Sequence, residues 1–155
     1  MVIRPAVRDD VAAVVDVAVS SGLFAAEDVG IVEDLIETYH DRGRAAGHHC
    51  LVVDDGGVRA VAYAEPVRAT ANTHELTMIA VRRDDQGRGR GGALLERVEH
   101  DLRERGGRLL IVLTSGSPGF ARTRGFYAAR GYEQEARIRD YYDAGEDVVV
   151  FRTAL

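Results

Sequence analysis

The sequence predicts a single mixed α and β domain spanning residues 1–155, and three observations support this. Hydrophobic periodicity switches between strand and helix type in the order β-α-α-β-β-β-α-β-α-β-β, which is neither strict strand–helix alternation nor an all-strand pattern. The 155 residues fall in the range of one domain and are enough to bury one proper core. Hydrophobic residues make up 46% and charged residues 29% of the chain, a globular balance that excludes wholesale disorder. No repeat, linker or low-complexity tract interrupts it.

Taken in order, Val2 to Val7 reads as a short strand. Asp9 and Asp10 offer an N-cap for a helix through about Ser20, with Val11, Val14, Val15 and Ala18 at helical spacing. Ser21 and Gly22 break it. A second helix is expected over Ala26 to Arg42, with Ile31, Leu35, Ile36 and Tyr39 on one face. Cys50 to Val53 and Val58 to Ala64 form a hairpin through the turn Asp54-Asp55-Gly56-Gly57. Pro66 to Asn72 is a loop, and Glu75 to Val81 a mostly apolar strand. Arg82 to Gly92 is a loop rich in glycine and arginine. A helix over Ala93 to Arg105 turns Leu94, Leu95, Val98 and Leu102 inward and stops at Gly106-Gly107. The continuous apolar run Leu109 to Leu113 suits a central strand covered on both faces. After a loop at Ser115 to Gly119, a helix is expected over Phe120 to Ala129, stopped by Gly131. Tyr132 to Arg139 and Val148 to Thr153 read as strands joined by a loop through Tyr141 to Asp147.

Several function classes are excluded or disfavoured at this level. Cys50 is the only cysteine, so neither an internal disulfide nor a cysteine zinc site is expected. The five histidines show no ligand spacing with carboxylates, so no metal is expected. The net charge of −5 suits nonspecific nucleic-acid binding poorly, because that affinity comes from neutralising phosphates. No apolar run approaches the ~20 residues of a membrane span, and Met1 to Pro5 lacks the layout of a signal peptide. The expectation is a cytoplasmic protein with no membrane partner. All 20 basic residues are arginine. Such uniformity reflects coding-sequence base composition more often than function, so only clusters of arginine are informative.

One such cluster carries the chemistry. Gln86-Gly87-Arg88-Gly89-Arg90-Gly91-Gly92 lies between an apolar strand and an amphipathic helix. Glycines let the backbone turn sharply and approach a ligand closely, and the helix start presents free N–H groups and a positive dipole end. Together these form an anion cradle, with Arg82, Arg83, Arg88 and Arg90 as fork-shaped donors around it. A P-loop needs Gly-Lys, and there is no lysine. Gly87, Gly89 and Gly92 fit the G-x-G-x-x-G dinucleotide pattern, but the next strand ends at Leu113-Thr114-Ser115 without the required carboxylate. The remaining pattern, Q/R-x-x-G-x-G/A, is met by Gln86, Gly89 and Gly91.

With that loop, the segment Glu75 to Tyr132 resembles the GCN5-related N-acetyltransferase (GNAT) superfamily. The resemblance rests on the strand Leu76 to Val81, the glycine loop, the helix with Leu94-Leu95, the strand Leu109 to Leu113 and the segment Phe126-Tyr127-Ala128-Ala129-Arg130-Gly131-Tyr132. The last is similar to the family's F-Y-x-x-x-G-F/Y signature, and Ile3-Arg4-Pro5-Ala6 to its usual first strand. The resemblance implies an α+β fold: a mixed, mostly antiparallel sheet of about seven strands, splayed at the middle, with about four helices. It implies acetyl-CoA as cosubstrate, with its pyrophosphate on the loop from Gln86 through Gly92. The pantetheine arm would pair with Ile79, Ala80 and Val81 like an added strand. Arg88, Arg90 or Arg122 would reach the 3′-phosphate. Many members carry an asparagine about seven residues before the tyrosine; Phe120 stands there in this chain, which leaves that pantetheine contact unfilled.

The implied activity is N-acetylation of a primary amine by direct attack in a ternary complex. The amine must lose a proton before attack, and Glu75, at the start of the splayed strand, is the first candidate base, directly or through a water. Glu65 and His74 are alternatives. Tyr127, by its place in the signature, would protonate the leaving thiolate; a phenol of pKa ~10 suits that task. Each has a plainer reading: Tyr127 as a core residue, Glu75 as a strand-end carboxylate. Tyr141, Tyr142, Phe24 and Tyr39 could line the acceptor pocket or pack in the core. The acceptor, a small molecule or a peptide, is left open, as is a homodimer. The rival function is a non-catalytic acyl-CoA-binding or regulatory domain on the same fold, which would need neither Tyr127 nor Glu75.

Overall fold

A computed structural model describes residues 1–155. Its strands are β1 (Val2–Pro5), β2 (His49–Asp54), β3 (Val58–Pro66), β4 (Thr73–Val81), β5 (Leu109–Ser115), β6 (Glu133–Asp143) and β7 (Glu146–Ala154). Its helices are α1 (Val11–Ser20), α2 (Val29–Arg42), α3 (Arg90–Glu104) and α4 (Ala121–Ala129). The seven strands form one sheet in the order β1-β2-β3-β4-β5-β7-β6. Every neighbouring pair is antiparallel except β4 and β5. This is the α+β fold that the resemblance implies.

Alternation along the strands divides the core between the two sheet faces. On one face Leu51, Val53, Ala60, Ala62 and Leu76 pack against Leu94, Leu95, Val98 and Leu102 of α3 and Tyr127 of α4. On the other, Cys50, Val52, Val61, Tyr63, Met78 and Ala80 pack against Val14, Val17 and Ala18 of α1 and Val32, Ile36 and Tyr39 of α2. The helical spacings expected for α1, α2 and α3 thus face the sheet, except that Ile31 is exposed.

Three boundaries that bear on the site or the sheet edge differ from expectation. β1 ends at Pro5 because the Asp10 carboxylate takes the Val7 N–H at 2.8 Å and starts a turn. That same carboxylate receives Arg4 at 2.7 Å, so it ties the strand end rather than capping α1. α3 begins at Arg90, so Gly91 and Gly92 lie in its first turn. β6 runs on to Asp143, with the chain reversing at Ala144-Gly145, so Tyr141 and Tyr142 lie on a strand rather than in a loop. β6 is an edge strand exposed along its whole length, and its register with β7 breaks at Gln134/Ala136 and again after Ile138.

No helix is long and apolar enough to cross a membrane.

Candidate active site

β4 and β5 pair over only three positions, Thr73↔Leu109, His74↔Leu110 and Glu75↔Ile111. β5 continues along β7 through Ser115, so from Leu76 onward β4 has no neighbour on that side. The strands diverge into a cleft of about 490 Å³, floored by Leu76 to Val81 and walled by Val112, Leu113 and Thr114, the glycine loop and α4. The register of β4 with β3 also breaks at Tyr63/Ala64, leaving Thr77 as an extra residue whose hydroxyl donates to the Tyr63 carbonyl at 3.2 Å. Such a bulge bends a strand, here at the point where the seam opens.

Backbone alternation decides which groups face the cleft. Arg82 N–H donates to Arg59 O, and in antiparallel pairing the bonded positions recur every second residue. Ala80 and Met78 therefore direct their N–H and C=O groups to β3, and Ile79 and Val81 direct theirs into the open seam. Of the three strand residues expected to meet the pantetheine, Ala80 thus has its own polar backbone groups committed. The Val81 carbonyl is also engaged, because the Gln86 amide donates to it at 3.0 Å and to Ser21 O at 3.2 Å. Gln86 is a strut joining the loop to α1 and β4.

The loop closes on Gly89, the N-cap of α3, at φ +79°, a left-handed conformation for which glycine carries no Cβ penalty. At Gly92 a Cβ would come within 2.5 Å of Arg130 Nη2, so the Arg130 side chain lies directly over the first turn of α3. Buried Asp85 sits at the loop base among Arg90 Nε at 3.3 Å, Arg59 at 3.6 Å and Arg88 at 3.7 Å. Arg90 also donates to Asp55 at 2.8 Å, and that bond, foremost, holds its pKa above the ordinary value. Arg90 is therefore committed to two carboxylates. Arg88 is 66% exposed. Arg122 and Arg130 line the cleft without a carboxylate partner. Arg130, which the sequence reading does not single out, lies 3.8 Å above the Phe126 ring and bonds the Phe126 carbonyl.

Tyr127 lines the same cleft although it is only 2% exposed. Its ring packs among Phe126, Tyr132 and Phe151 at centroid distances of 5.2–5.7 Å. Burial holds the phenol pKa above its ordinary value, which keeps the proton on oxygen. The residue is thus both part of the core and part of the cleft wall.

Glu75 lies at the last paired position of the seam, half-buried, directly opposite Glu65 across β3 and β4. Burial, and then the Glu65 charge, raise its pKa. His48 Nδ1 lies 2.7 Å from the Tyr63 hydroxyl and 3.9 Å from Glu65, and burial lowers its pKa. On β6 the pKa of Tyr142 is raised by burial, then by Tyr141 and by Glu75. His74, one of the expected alternatives for the base, packs beside His49 at a ring distance of 6.4 Å. Strand alternation turns it to the face opposite Glu75. His48 and Tyr63 escape a linear reading because the hairpin of β2 and β3 brings them together only across the sheet. At the far end of β5, Ser115 Oγ bonds Ser117 and Glu146, both at 2.9 Å, and Arg124 bonds the Ser115 and Ser117 carbonyls. This pins the loop between β5 and α4. No group of three or more His, Cys, Asp or Glu residues is placed to hold a metal.

The profile of the Acetyltransferase (GNAT) family matches residues 20–132. The amino-acid acetyltransferase of Azotobacter vinelandii is 32% identical over 140 residues, covering 83% of this chain and 32% of that protein. That of Pseudomonas syringae pv. syringae is 34% identical over 113 residues, covering 66% of this chain and 26% of that protein. The chain spans about a third of the length of the curated relatives it matches. A solved structure assigned to the GNAT family, from Desulfovibrio desulfuricans, superposes with a TM-score of 0.92 at 35% identity, over 99% of this chain and 98% of that one. The Salmonella typhimurium protein yncA, solved with its cofactor acetyl-CoA, superposes at 0.82 with 21% identity over 100% of this chain and 94% of that one, and shares the fold.

Proposed function

The chain belongs to the acetyltransferase (GNAT) family, and on that premise we propose that it transfers the acetyl group of acetyl-CoA directly to a primary amine within a ternary complex. The observation that carries the reading is the seam: the edge of β4 left open from Leu76 onward, leading to the glycine loop at the start of α3. An extended arm bearing amides fits such an edge as an added strand. A pyrophosphate fits free amides at a helix N-terminus. Gly87 through Gly92 would hold the pyrophosphate, Ile79 and the Val81 N–H the arm, and Arg122, with Arg88 or Arg130, the 3′-phosphate. Gln86 and Arg90 would hold the loop in shape.

Tyr127 in the cleft wall and Glu75, one residue before its floor begins, suit the proton movements. A thioester supplies an activated carbonyl and a good leaving group, so no covalent enzyme intermediate is needed. Glu75 takes a proton from the acceptor ammonium, directly or through a water. The amine nitrogen bonds the acetyl carbon as the carbon–sulfur bond breaks; Tyr127 passes its proton to the departing sulfur and is restored by the second proton the nitrogen sheds, while Glu75 releases the first to solvent. A base must be ionised yet basic enough to accept the proton, and the raised pKa of Glu75 serves the second requirement. The Glu65–Glu75 pair also favours a cationic acceptor, and several relatives are named for amino-acid acceptors. A pure coenzyme-binding domain would need neither the carboxylate pair nor Tyr127. Release of CoA thiol from acetyl-CoA over a panel of amines, amino acids included, tests the reading. Binding of acetyl-CoA without turnover of any amine would favour the binding domain.

A further inference from the structure

A second cavity, of about 310 Å³, lies on the α3 face behind the seam and shares no residue with the cleft. Its wall comes from five separate parts of the chain: Arg44 in the turn after α2, His49 on β2, the loop that follows Pro66, His74 on β4 and Arg105 at the end of α3. Three features set it apart from an ordinary surface hollow.

The first is unmet hydrogen bonding. His49 is 1% exposed, yet neither of its ring nitrogens has a partner, and the same holds for Arg44 Nε and, on the acceptor side, Asp101 Oδ2. Buried polar groups are nearly always bonded, so a cluster of unbonded ones calls for an explanation. The second is charge. The protein is acidic, with net charge −5, but here the balance reverses. Asp101 is the nearby carboxylate, and it is shared between Arg97 at 2.9 Å and Arg44 at 3.6 Å. Arg105 has no carboxylate at all and bonds only the Arg44 carbonyl, at 3.0 Å. The third is fit. A Cβ on Gly47 would lie 3.3 Å from Pro66 and 3.7 Å from His74 Nε2, so the lip closes tightly over an opening at the small end of the ligand-site range.

We propose that this cavity is a binding site for a small anion, a compact molecule bearing carboxylate or phosphate oxygens, separate from the acetyl-transfer cleft. The guanidinium groups of Arg44 and Arg105 match paired anionic oxygens, and the His49 ring supplies a further donor. The titration of that ring adds a signature. Burial, Arg105, Arg44 and His74 push its pKa down to about 4, against the opposing pull of Asp101. A bound anion offsets the two guanidinium charges, so binding draws a proton onto the ring and tightens as pH falls.

The test follows the imidazole ring resonances of His49 and His74 by NMR while inorganic phosphate, or separately glutarate, is added, at both ends of the range from about pH 5 to pH 8 where histidine titrates. The proposal expects saturable shifts of both rings, tighter at the lower pH. It expects about tenfold or more weakening in Arg105→Gln, a change at the end of α3 that leaves the core and the cleft untouched. Phosphate and glutarate run separately distinguish the two anion classes. Rings that neither anion shifts would overturn the proposal, and so would shifts that Arg105→Gln leaves undiminished. Because the readout is local to the two rings, phosphate bound in the glycine loop does not imitate it.

Discussion

Glu75 on β4 stands directly across from Glu65 on β3, two carboxylates at facing positions of one antiparallel pair. Like charges so placed disfavour joint ionisation. Burial, and then the Glu65 charge, hold the Glu75 proton more tightly than in an ordinary glutamate.

The sign of the resulting pH dependence is fixed. Below the ordinary glutamate pKa, both folded and unfolded chains hold the proton and Glu75 costs nothing. As pH rises, the unfolded chain releases it first, so native stability falls until the raised folded value is passed. Glu75→Gln removes that loss and flattens the curve. The same change lowers kcat by about 10²–10⁴-fold if Glu75 is the base. Melting temperature and turnover of one variant are then expected to move in opposite directions. Unchanged turnover would transfer the role to Glu65 or to water.

Tyr127→Phe keeps the packed ring and removes only the hydroxyl. If that hydroxyl protonates the leaving sulfur, kcat falls by about 10²–10⁴-fold with coenzyme affinity nearly constant. If Tyr127 is a core residue alone, kcat is unaffected and stability changes by at most ~1 kcal/mol. Steady-state kinetics beside thermal unfolding separates the two.

Gly89→Glu places a side chain on a left-handed residue and a negative charge at the phosphate cradle. Loss of acetyl-CoA binding is expected in calorimetry, with a cooperative melt retained. For the unmodified protein, CoA at ~100 times its dissociation constant is expected to add about 2.7 kcal/mol to stability. A glycine-loop variant that binds as tightly as the parent would remove the loop from the coenzyme site.

Arg4 bonds both Asp10 and Asp54, at 2.7 and 3.0 Å, and lowers the Asp10 pKa, chiefly through its hydrogen bond. A lowered carboxylate stabilises the native state above the ordinary aspartate pKa, and that support disappears as pH falls through the folded value. Asp10→Ala is expected to cost about 1–3 kcal/mol at neutral pH and much less in acid. Urea midpoints at the two pH values measure it.

Cys50 is 1% exposed in the core beneath α1 and α2, and burial pushes its thiol pKa up to about 12. A thiolate is the reactive form, so alkylating reagents are expected to leave the native protein unmodified and label it only on unfolding. Cys50→Ala is expected to retain turnover.

Much of this architecture is legible in the chain. Local signals such as the Asp54–Gly57 turn, the helical spacing in α3 and the glycine loop place elements to within a few residues. The signals that fail concern partners far apart in sequence. Asp10 reads as a helix cap until Arg4 and Val7 N–H are seen to occupy it. Arg90 reads as a phosphate ligand until Asp55, 35 residues away, takes its guanidinium. His74 and Glu75 are neighbours in sequence, so His74 reads as an alternative to Glu75 for one task, but a strand turns them to opposite faces. Arg130 lies inside the aromatic signature, where the pattern draws attention to Tyr127. Only packing shows Arg130 beside Gly92 at the cleft.

The bare outer strand has a consequence for how this protein behaves in a crowded solution. An unpaired strand edge is a template on which further chains can add and aggregate. β6 offers eleven exposed residues, yet its sequence opposes stacking: Glu133, Glu135, Arg137, Arg139 and Asp140 put charge along most of its length. Its two register breaks deny an incoming strand a straight edge. Glu133, Glu135 and Arg139 make no side-chain hydrogen bond or ion pair, so their replacement by valine or threonine would barely alter a melting curve. The damage would appear as turbidity and lost yield, in a chain that is still correctly folded.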